Sequence, residues 1–242
     1  MTGVIENFDR SVAGYEAHSA PQAALAAALA QWILPSERHG VAIEFGAGTG
    51  LFTQQVQPWK GTYTATDAAP GMIQRGKTLV PAANWKIADA RQSLSLGPAD
   101  WIFACNMLQW VDNPEAVLGG WRKIAAAEGQ IALAVLLPET FQELEAVLPG
   151  SSPVRWHTAD AWSQYLEGAG FAIERASEWR HIAVAPSALA WLRSLHAMGL
   201  APRRTMGAGR LRTALRHYDE DYPTNGGVRA TWAGWLMRGR AL

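Results

Sequence analysis

With 242 residues, 49% of them apolar, and no net formal charge, the chain has material for one substantial core, or a core with a small lid, and its composition excludes disorder as the default state. It contains neither a run of eighteen apolar residues nor a basic, apolar leader, so the expectation is a soluble, cytoplasmic protein without membrane contact. A single cysteine, Cys105, excludes an internal disulfide; set in the apolar run WIFAC, it reads as a small buried hydrophobe rather than a nucleophile.

The predicted elements begin with a helix over Ser19 to Leu34, SAPQAALAAALAQWIL, with Ser19 placed to cap it, Pro21 in its first turn and Pro35 beyond its end. Apolar or β-branched runs follow at 41–45, 62–67, 84–89, 99–105 and 129–137, separated by segments long enough for helices. This is the rhythm of an α/β fold, and a run such as IALAVLL reads as a strand buried on both faces of a parallel sheet. Residues 171–177 with 179–185, and 228–239, supply further strands, the last expected as an antiparallel edge. Two helices, 187–199 with Ser187 as cap and 209–222, interrupt these late strands as a lid. In the first of them Leu189, Leu192, Leu195 and His196 mark the buried face and Arg193 points elsewhere. The divisions are therefore an N-terminal helical cover (1–40), a ligand-binding core (41–185), a helical lid (186–225) and a final edge strand (226–242).

Charge is unevenly placed. Residues 1–175 carry 11 basic and 17 acidic side chains (11 − 17 = −6), and residues 176–242 carry 10 and 4 (10 − 4 = +6), all ten being arginines. Such a tail is either a solvated helical face or a docking surface for an acidic partner. Without net positive charge, a zinc pattern or a helix-turn-helix pattern, the chain is not expected to read nucleic acid or to hold a metal.

The stretch VAIEFGAGTG, Val41 to Gly50, ends the first strand in an acid and three alternate glycines. Gly46, Gly48 and Gly50 let the backbone turn sharply and approach a ligand at the carboxyl end of the sheet, where open parallel sheets bind. Asp67 ends the second strand, 17 residues past Gly50, where an acid accepts from both hydroxyls of a ribose. A dinucleotide pyrophosphate fits poorly, since the third glycine comes one residue early and Glu44 would repel phosphate; an ammonium group fits better.

At these residues the chain resembles the seven-strand S-adenosylmethionine-dependent methyltransferases, whose first motif reads acid-x-G-x-G-x-G. The resemblance implies a doubly wound, mostly parallel seven-stranded Rossmann-like sheet with an N-terminal helical segment and a helical lid insertion, and S-adenosyl-L-methionine as cofactor. It implies that Glu44, Gly46, Gly48 and Gly50 hold the amino-acid end, that Asp67 with Ala68 holds the ribose, and that Met72 lines the adenine pocket. Asp89 and Ala90 would meet the adenine amino group, and Asn106 would flank the sulfonium.

The segment CNMLQWV (105–111) is similar to methyltransferases that esterify small carboxylic acids, the trans-aconitate and malonyl-acyl-carrier-protein families. FDRSVAGYEAHS (Phe8 to Ser19) and SLHAMG (194–199) resemble the second, departing from it at His196, where that family has lysine. A carboxylate, with an ordinary pKa of roughly 4, needs no general base at pH 7. The resemblance implies Tyr15 as the main orienting residue, Gln109 and Trp110 as the acceptor wall and His18 near the cofactor. Arg203 and Arg204, with Arg210, Arg212 and Arg216, would bind an acidic acyl carrier protein. The implied partners are malonyl-loaded carrier protein or a small diacid, with a monomer as the default assembly. A binding module that keeps the pocket without catalysis is the competing class.

Overall fold

Each apolar run of the sequence becomes a strand, and the longer segments between them become helices. The computed structural model, which describes residues 2–150, 152, 154–200 and 207–242, runs α1 (Thr2–His18), α2 (Ala20–Ala30), β1 (His39–Phe45), α3 (Leu51–Val56), β2 (Lys60–Asp67), α4 (Pro70–Leu79), β3 (Asn84–Ile87), β4 (Ala99–Cys105), α5 (Pro114–Ile124), β5 (Ala125–Leu136), α6 (Gln142–Val147), α7 (Ala159–Gly168), β6 (Phe171–Ala185), α8 (Ala188–Ala197), α9 (Ala208–Asp221), β7 (Pro223–Thr224) and β8 (Gly227–Ala241). The strands pair in the order β3-β2-β1-β4-β5-β8-β6, with two-residue β7 attached to β8. The first five strands are mutually parallel, and β8 is antiparallel to both neighbours. This is the expected doubly wound, mostly parallel α/β sheet of seven strands, with β7 as a short eighth.

Successive strand residues point to opposite faces, and both faces are covered. Ala42, Trp101, Phe103, Ala132 and Ala134 pack with Leu25 and Leu29 of α2. Ile43, Phe45, Ile102, Ile131 and Leu133 pack with Leu118 and Trp121 of α5 and with Trp162 and Leu166 of α7. The helix α5 forms because Asn113 caps it, accepting from Ala116 N at 3.0 Å, Pro114 fits its first turn, and Val117, Leu118, Trp121 and Ile124 make one buried stripe. Trp121 stacks on Phe45 with ring centroids 4.5 Å apart, and a buried ring of this kind contributes about 3–5 kcal/mol relative to alanine.

β8 is not the edge strand expected for residues 226–242: it lies between β5 and β6, and β6 is the edge. The side chains give the reason. Every residue from Ala230 to Met237 is buried, as a strand with two neighbours and two covered faces requires, whereas Glu174 to Glu178 of β6 are all exposed. The segments 171–177 and 179–185 join into one strand whose register shifts between Ile173 and Arg175. Ser19 does not cap α2; its Oγ donates to Glu16 O at 3.3 Å, while Pro21 takes the first turn as expected. Ser187 does cap α8, accepting from Ala190 N at 3.2 Å. The buried face of α8 is Ala188, Trp191, Leu192 and Leu195, so Leu189 and His196 fall outside it and are exposed, as is Arg193.

The N-terminal helix α1 is fastened to α4. Asp9 accepts the Gly71 N–H at 2.6 Å, Glu16 pairs with Arg75 at 2.6 Å, and α1 also contacts α8. These contacts carry α1 across the end of the sheet where a ligand would enter. Arg203 and Arg204 of the expected lid lie outside the described residues.

Candidate active site

Strand order reverses between β1 and β4, so the connections leaving their carboxyl ends part there and leave a crevice. A chamber opens at this point, containing about 1130 Å³ of empty space with its open side included. Its walls come from the glycine loop, the turns after β2, β3 and β4, the helices α1 and α2, and the inner face of β5 and β8.

The loop after β1 takes conformations that a side chain resists. Gly46 has φ +66°, and a Cβ there would fall 2.1 Å from Met107 Cγ; Gly48 has φ +57° with open space around the same position. Both line the chamber. Gly50 does not: a Cβ on it would meet Val80 and Trp85 at 3.0 and 3.1 Å, so that glycine serves the turn into α3 and its packing rather than ligand contact. Asp67 ties the loop to β2, its Oδ2 accepting from Gly48 N at 2.9 Å and its Oδ1 from Ala69 N at 2.8 Å. Burial pushes the Asp67 pKa up, against the N–H groups of Ala69, Gly48 and Ala68 that hold the charge. Its remaining lone pairs suit hydroxyl donors such as a ribose diol.

Ala68, Met72, Asp89 and Ala90 line the chamber beside Asp67, as the sequence predicts. The Asp89 carboxylate is gripped by Arg91, whose Nε lies 2.9 and 3.0 Å from its two oxygens and whose guanidinium holds it below the usual carboxylate range. An adenine amino group at Asp89 would therefore share the carboxylate with a guanidinium. Glu44 is 1% exposed, and its Oε2 accepts from Thr53 Oγ1 at 2.6 Å and Tyr63 OH at 2.7 Å. Burial outweighs those two hydrogen bonds and pushes its pKa up to about 7. Glu44 and Asp67, which line the chamber, suit a cationic group there, while the Asp89 charge is already met by Arg91.

The predicted acceptor residues Tyr15, Gln109 and Trp110 also line the chamber. Tyr15 lines the chamber and also packs edge-on against Phe8, ring centroids 6.3 Å apart, and Phe8 packs against Trp110 at 5.4 Å. The packing and the ligand-facing position coexist. Burial pushes the Tyr15 phenol well up, so it remains an O–H donor at neutral pH. Asn106, at φ +60° after β4, accepts from Gln109 Nε2 at 2.8 Å through its Oδ1, which fixes both amides at the chamber wall. Cys105 also lines the chamber, with burial pushing its thiol up, which keeps it protonated and inert.

His18 is a correction. It is exposed in the last turn of α1 and is not among the lining residues, because the chamber face of α1 carries Ile5, Phe8 and Tyr15. Two polar lining residues were not anticipated: Gln22, whose Nε2 lies 3.2 Å from Met198 Sδ, and Trp232. A signal existed for Gln22, the one polar side chain in the first ten residues of the apolar helix α2.

A family model described as a methyltransferase domain matches residues 43–131. The chain is 27% identical over 274 aligned residues to the malonyl-[acyl-carrier protein] O-methyltransferase of Paenibacillus sp. (strain JDR-2), which covers 98% of this chain and 97% of that one. It is 30% identical to the biotin biosynthesis bifunctional protein BioCD of Bordetella avium (strain 197N) over 89% of this chain, and it spans 48% of that relative's length. It is 25% identical to the trans-aconitate 2-methyltransferase of Azoarcus sp. (strain BH72), over 64% of this chain and 59% of that one. Among solved structures, a methyltransferase-like protein from Bacillus halodurans C-125 shares the fold with a TM-score of 0.67 at 14% identity, covering 89% of this chain and 97% of that one.

Proposed function

Since the chain is a class I S-adenosylmethionine-dependent methyltransferase, we propose that it esterifies the free carboxylate of a malonyl group held as a thioester on acyl carrier protein, in biotin synthesis. The observation that carries this reading is the charge of the chamber. Among its described lining residues none is lysine, arginine or histidine, and the charged ones are Glu44, Asp67 and Asp89. A diacid free at both ends would bring a second negative charge near Asp67 and Glu44 with no described lining cation to offset it. A malonyl thioester brings one carboxylate and a neutral carbonyl.

The residues fit the cofactor. Gly46 and Gly48 leave no side chain between backbone and ligand, Asp67 keeps acceptor capacity for a ribose, and Glu44 offers a carboxylate to an ammonium. When bound, S-adenosylmethionine supplies a methyl group on a sulfonium, an electrophile that a carboxylate takes without a base. What the chain adds is position and exclusion of water. Tyr15 donates through its phenol, Gln109 and Trp110 form the wall, and Phe8 seals the space between Tyr15 and Trp110. Neutral donors hold the acceptor without quenching the nucleophilic oxygen as a guanidinium would.

The carrier protein would meet the lid. Arg193 on α8 and Arg210, Arg212 and Arg216 on α9 are exposed, and Leu200, which follows α8, lines the chamber. An acidic carrier is attracted to such a rim and aligned by it. The test is intact-protein mass spectrometry of malonyl-acyl-carrier protein after incubation with the purified chain and S-adenosylmethionine, with trans-aconitate in parallel. A gain of one methyl on the carrier-bound malonyl group is expected. Turnover of trans-aconitate alone would overturn the acceptor and keep the chemistry.

A further inference from the structure

β6 closes one end of the sheet and is hydrogen-bonded to β8 along one side only. Along its other side, alternate backbone N–H and C=O groups over fifteen residues meet no strand. Edges that stay bare in folded proteins are short, or carry lysine or proline. β6 contains neither residue, and only β8 is as long. Its register slips once, between Ile173 and Arg175, and then runs regularly against β8 to Ala185. The bulge turns the start of the edge aside and leaves the regular stretch after it open to pairing.

The side chains of that stretch are complementary to themselves about Trp179. Alternation puts Ala176, Glu178, Arg180, Ile182 and Val184 on one face. All five are exposed, Ile182 and Val184 at 46% and 51%. Neither Glu178 nor Arg180 has an ion-pair partner among the described residues. The other face carries Ser177, Trp179 and His181, with Trp179 and His181 stacked at 5.7 Å.

We propose that this edge binds a second copy of the chain, β6 pairing antiparallel with β6 of that copy about a two-fold axis at Trp179, in place of the monomer expected by default. In that register Glu178 stands opposite Arg180 of the second copy and Arg180 opposite its Glu178, so symmetry makes two pairs of opposite charge. Ala176 meets Ile182 twice, which covers part of the apolar surface that Ile182 exposes, and the two Trp179 rings come side by side at the axis. An axis one residue away, at Glu178 or Arg180, would set that residue against its own copy and like charges together, so the pattern selects against the neighbouring registers. Pairing consumes the open side of both copies, and the opposite end of the sheet is the four-residue β3, so association stops at two. No residue of β6 lines the chamber. Both chambers therefore stay open in the dimer, and the inference does not depend on which acceptor they take.

The test is sedimentation equilibrium of the full chain from about 1 to 200 µM, a range that brackets weak association. Wild type should populate a species of twice 26.2 kDa that grows with concentration. Arg180→Glu and Glu178→Arg should each weaken dimerisation roughly 10- to 100-fold, because each turns two favourable cross-strand pairs into two repulsive ones. An equimolar mixture of the two variants should dimerise again at about wild-type strength, since every charge then faces its opposite. Both changes made in one chain should do the same. Circular dichroism and S-adenosylhomocysteine affinity should match wild type in every variant, because both side chains are exposed and away from the chamber. Wild type that stays at 26.2 kDa over the whole range would overturn the inference. So would a dimer indifferent to the reversals, or variants that remain apart when mixed. Amide hydrogen exchange on wild type decides the matter without any variant: slowing with concentration confined to residues 175–183 is expected, and exchange there that ignores concentration would equally overturn the pairing.

Discussion

Glu44 sets function against stability, and the conflict can be measured. Its carboxyl is displaced from the ordinary 4.5 to about 7, chiefly by burial and in spite of the hydrogen bonds from Thr53 and Tyr63. Below pH 4.5 the group is protonated whether the chain is folded or not. Between 4.5 and 7 only the folded state keeps the proton, so stability falls as pH rises, and above 7 the ionised carboxylate costs the fold about 3 kcal/mol. Glu44→Gln removes the titration and keeps a side-chain carbonyl for Thr53 and Tyr63. In urea unfolding without ligand, the variant should match wild type near pH 5 and exceed it by up to about 3 kcal/mol at pH 8. Binding should move the other way. The ammonium of the ligand's amino-acid end favours the carboxylate, so wild-type affinity for S-adenosylhomocysteine should rise from pH 6 to 8, and the variant should bind more weakly with no such rise. Parallel stability profiles for the two proteins from pH 5 to 8 would refute this account of the site.

The division of labour between cofactor and acceptor residues gives further expectations. Tyr15→Phe should lower kcat at least about tenfold with S-adenosylhomocysteine affinity within about twofold, whereas Asp67→Ala should weaken that affinity roughly 10- to 100-fold, both read by calorimetry and initial rates. Gly46→Ala should destabilise the chain by about 1–3 kcal/mol in chemical unfolding, because its Cβ collides with Met107 at positive φ. Gly48→Ala, with open space at the same position, should spare the fold more and show its main loss in ligand affinity. Arg210→Ala with Arg212→Ala should raise the KM for malonyl-acyl-carrier protein at low salt and flatten its salt dependence, leaving kcat unchanged.

The cofactor side was legible because its residues are adjacent in sequence to the strands that place them. Glu44, Gly46 and Asp67 each lie within a residue or two of a strand's carboxyl end, where the glycine run and the strand-ending acid stand out in the sequence, while Asn106 was expected from resemblance alone. The acceptor side was less legible. Tyr15, Gln109 and Trp110 were expected by resemblance, Gln22 stood out only as the lone polar side chain of an apolar helix, and Trp232 reaches the chamber through strand packing that no local pattern encodes. His18 failed for the converse reason: its neighbourhood in sequence was right, but its direction on α1 is fixed by which face meets α4 and α8. The position of β8 was in fact written in the chain. The run RATWAGWLM is apolar on both of its faces, and alternation would have been expected of a half-covered edge.

The placement of β8 also sets an order of assembly. During synthesis the strands β1 to β5 can pair as they emerge, each beside one already made, and with them comes the wall that carries Asp67, Met72 and Asp89. The long strand β6 has no such neighbour, since its register runs along β8 alone, and residues 186–226 must be made before β8 begins. Until then the nascent chain presents a fifteen-residue strand without a mate and a bare flank on β5, both templates for wrong pairing. The chamber wall from Tyr15 to Leu136 can thus be made on the ribosome before Leu200 and Trp232 complete it, while the late strands still lack their partners.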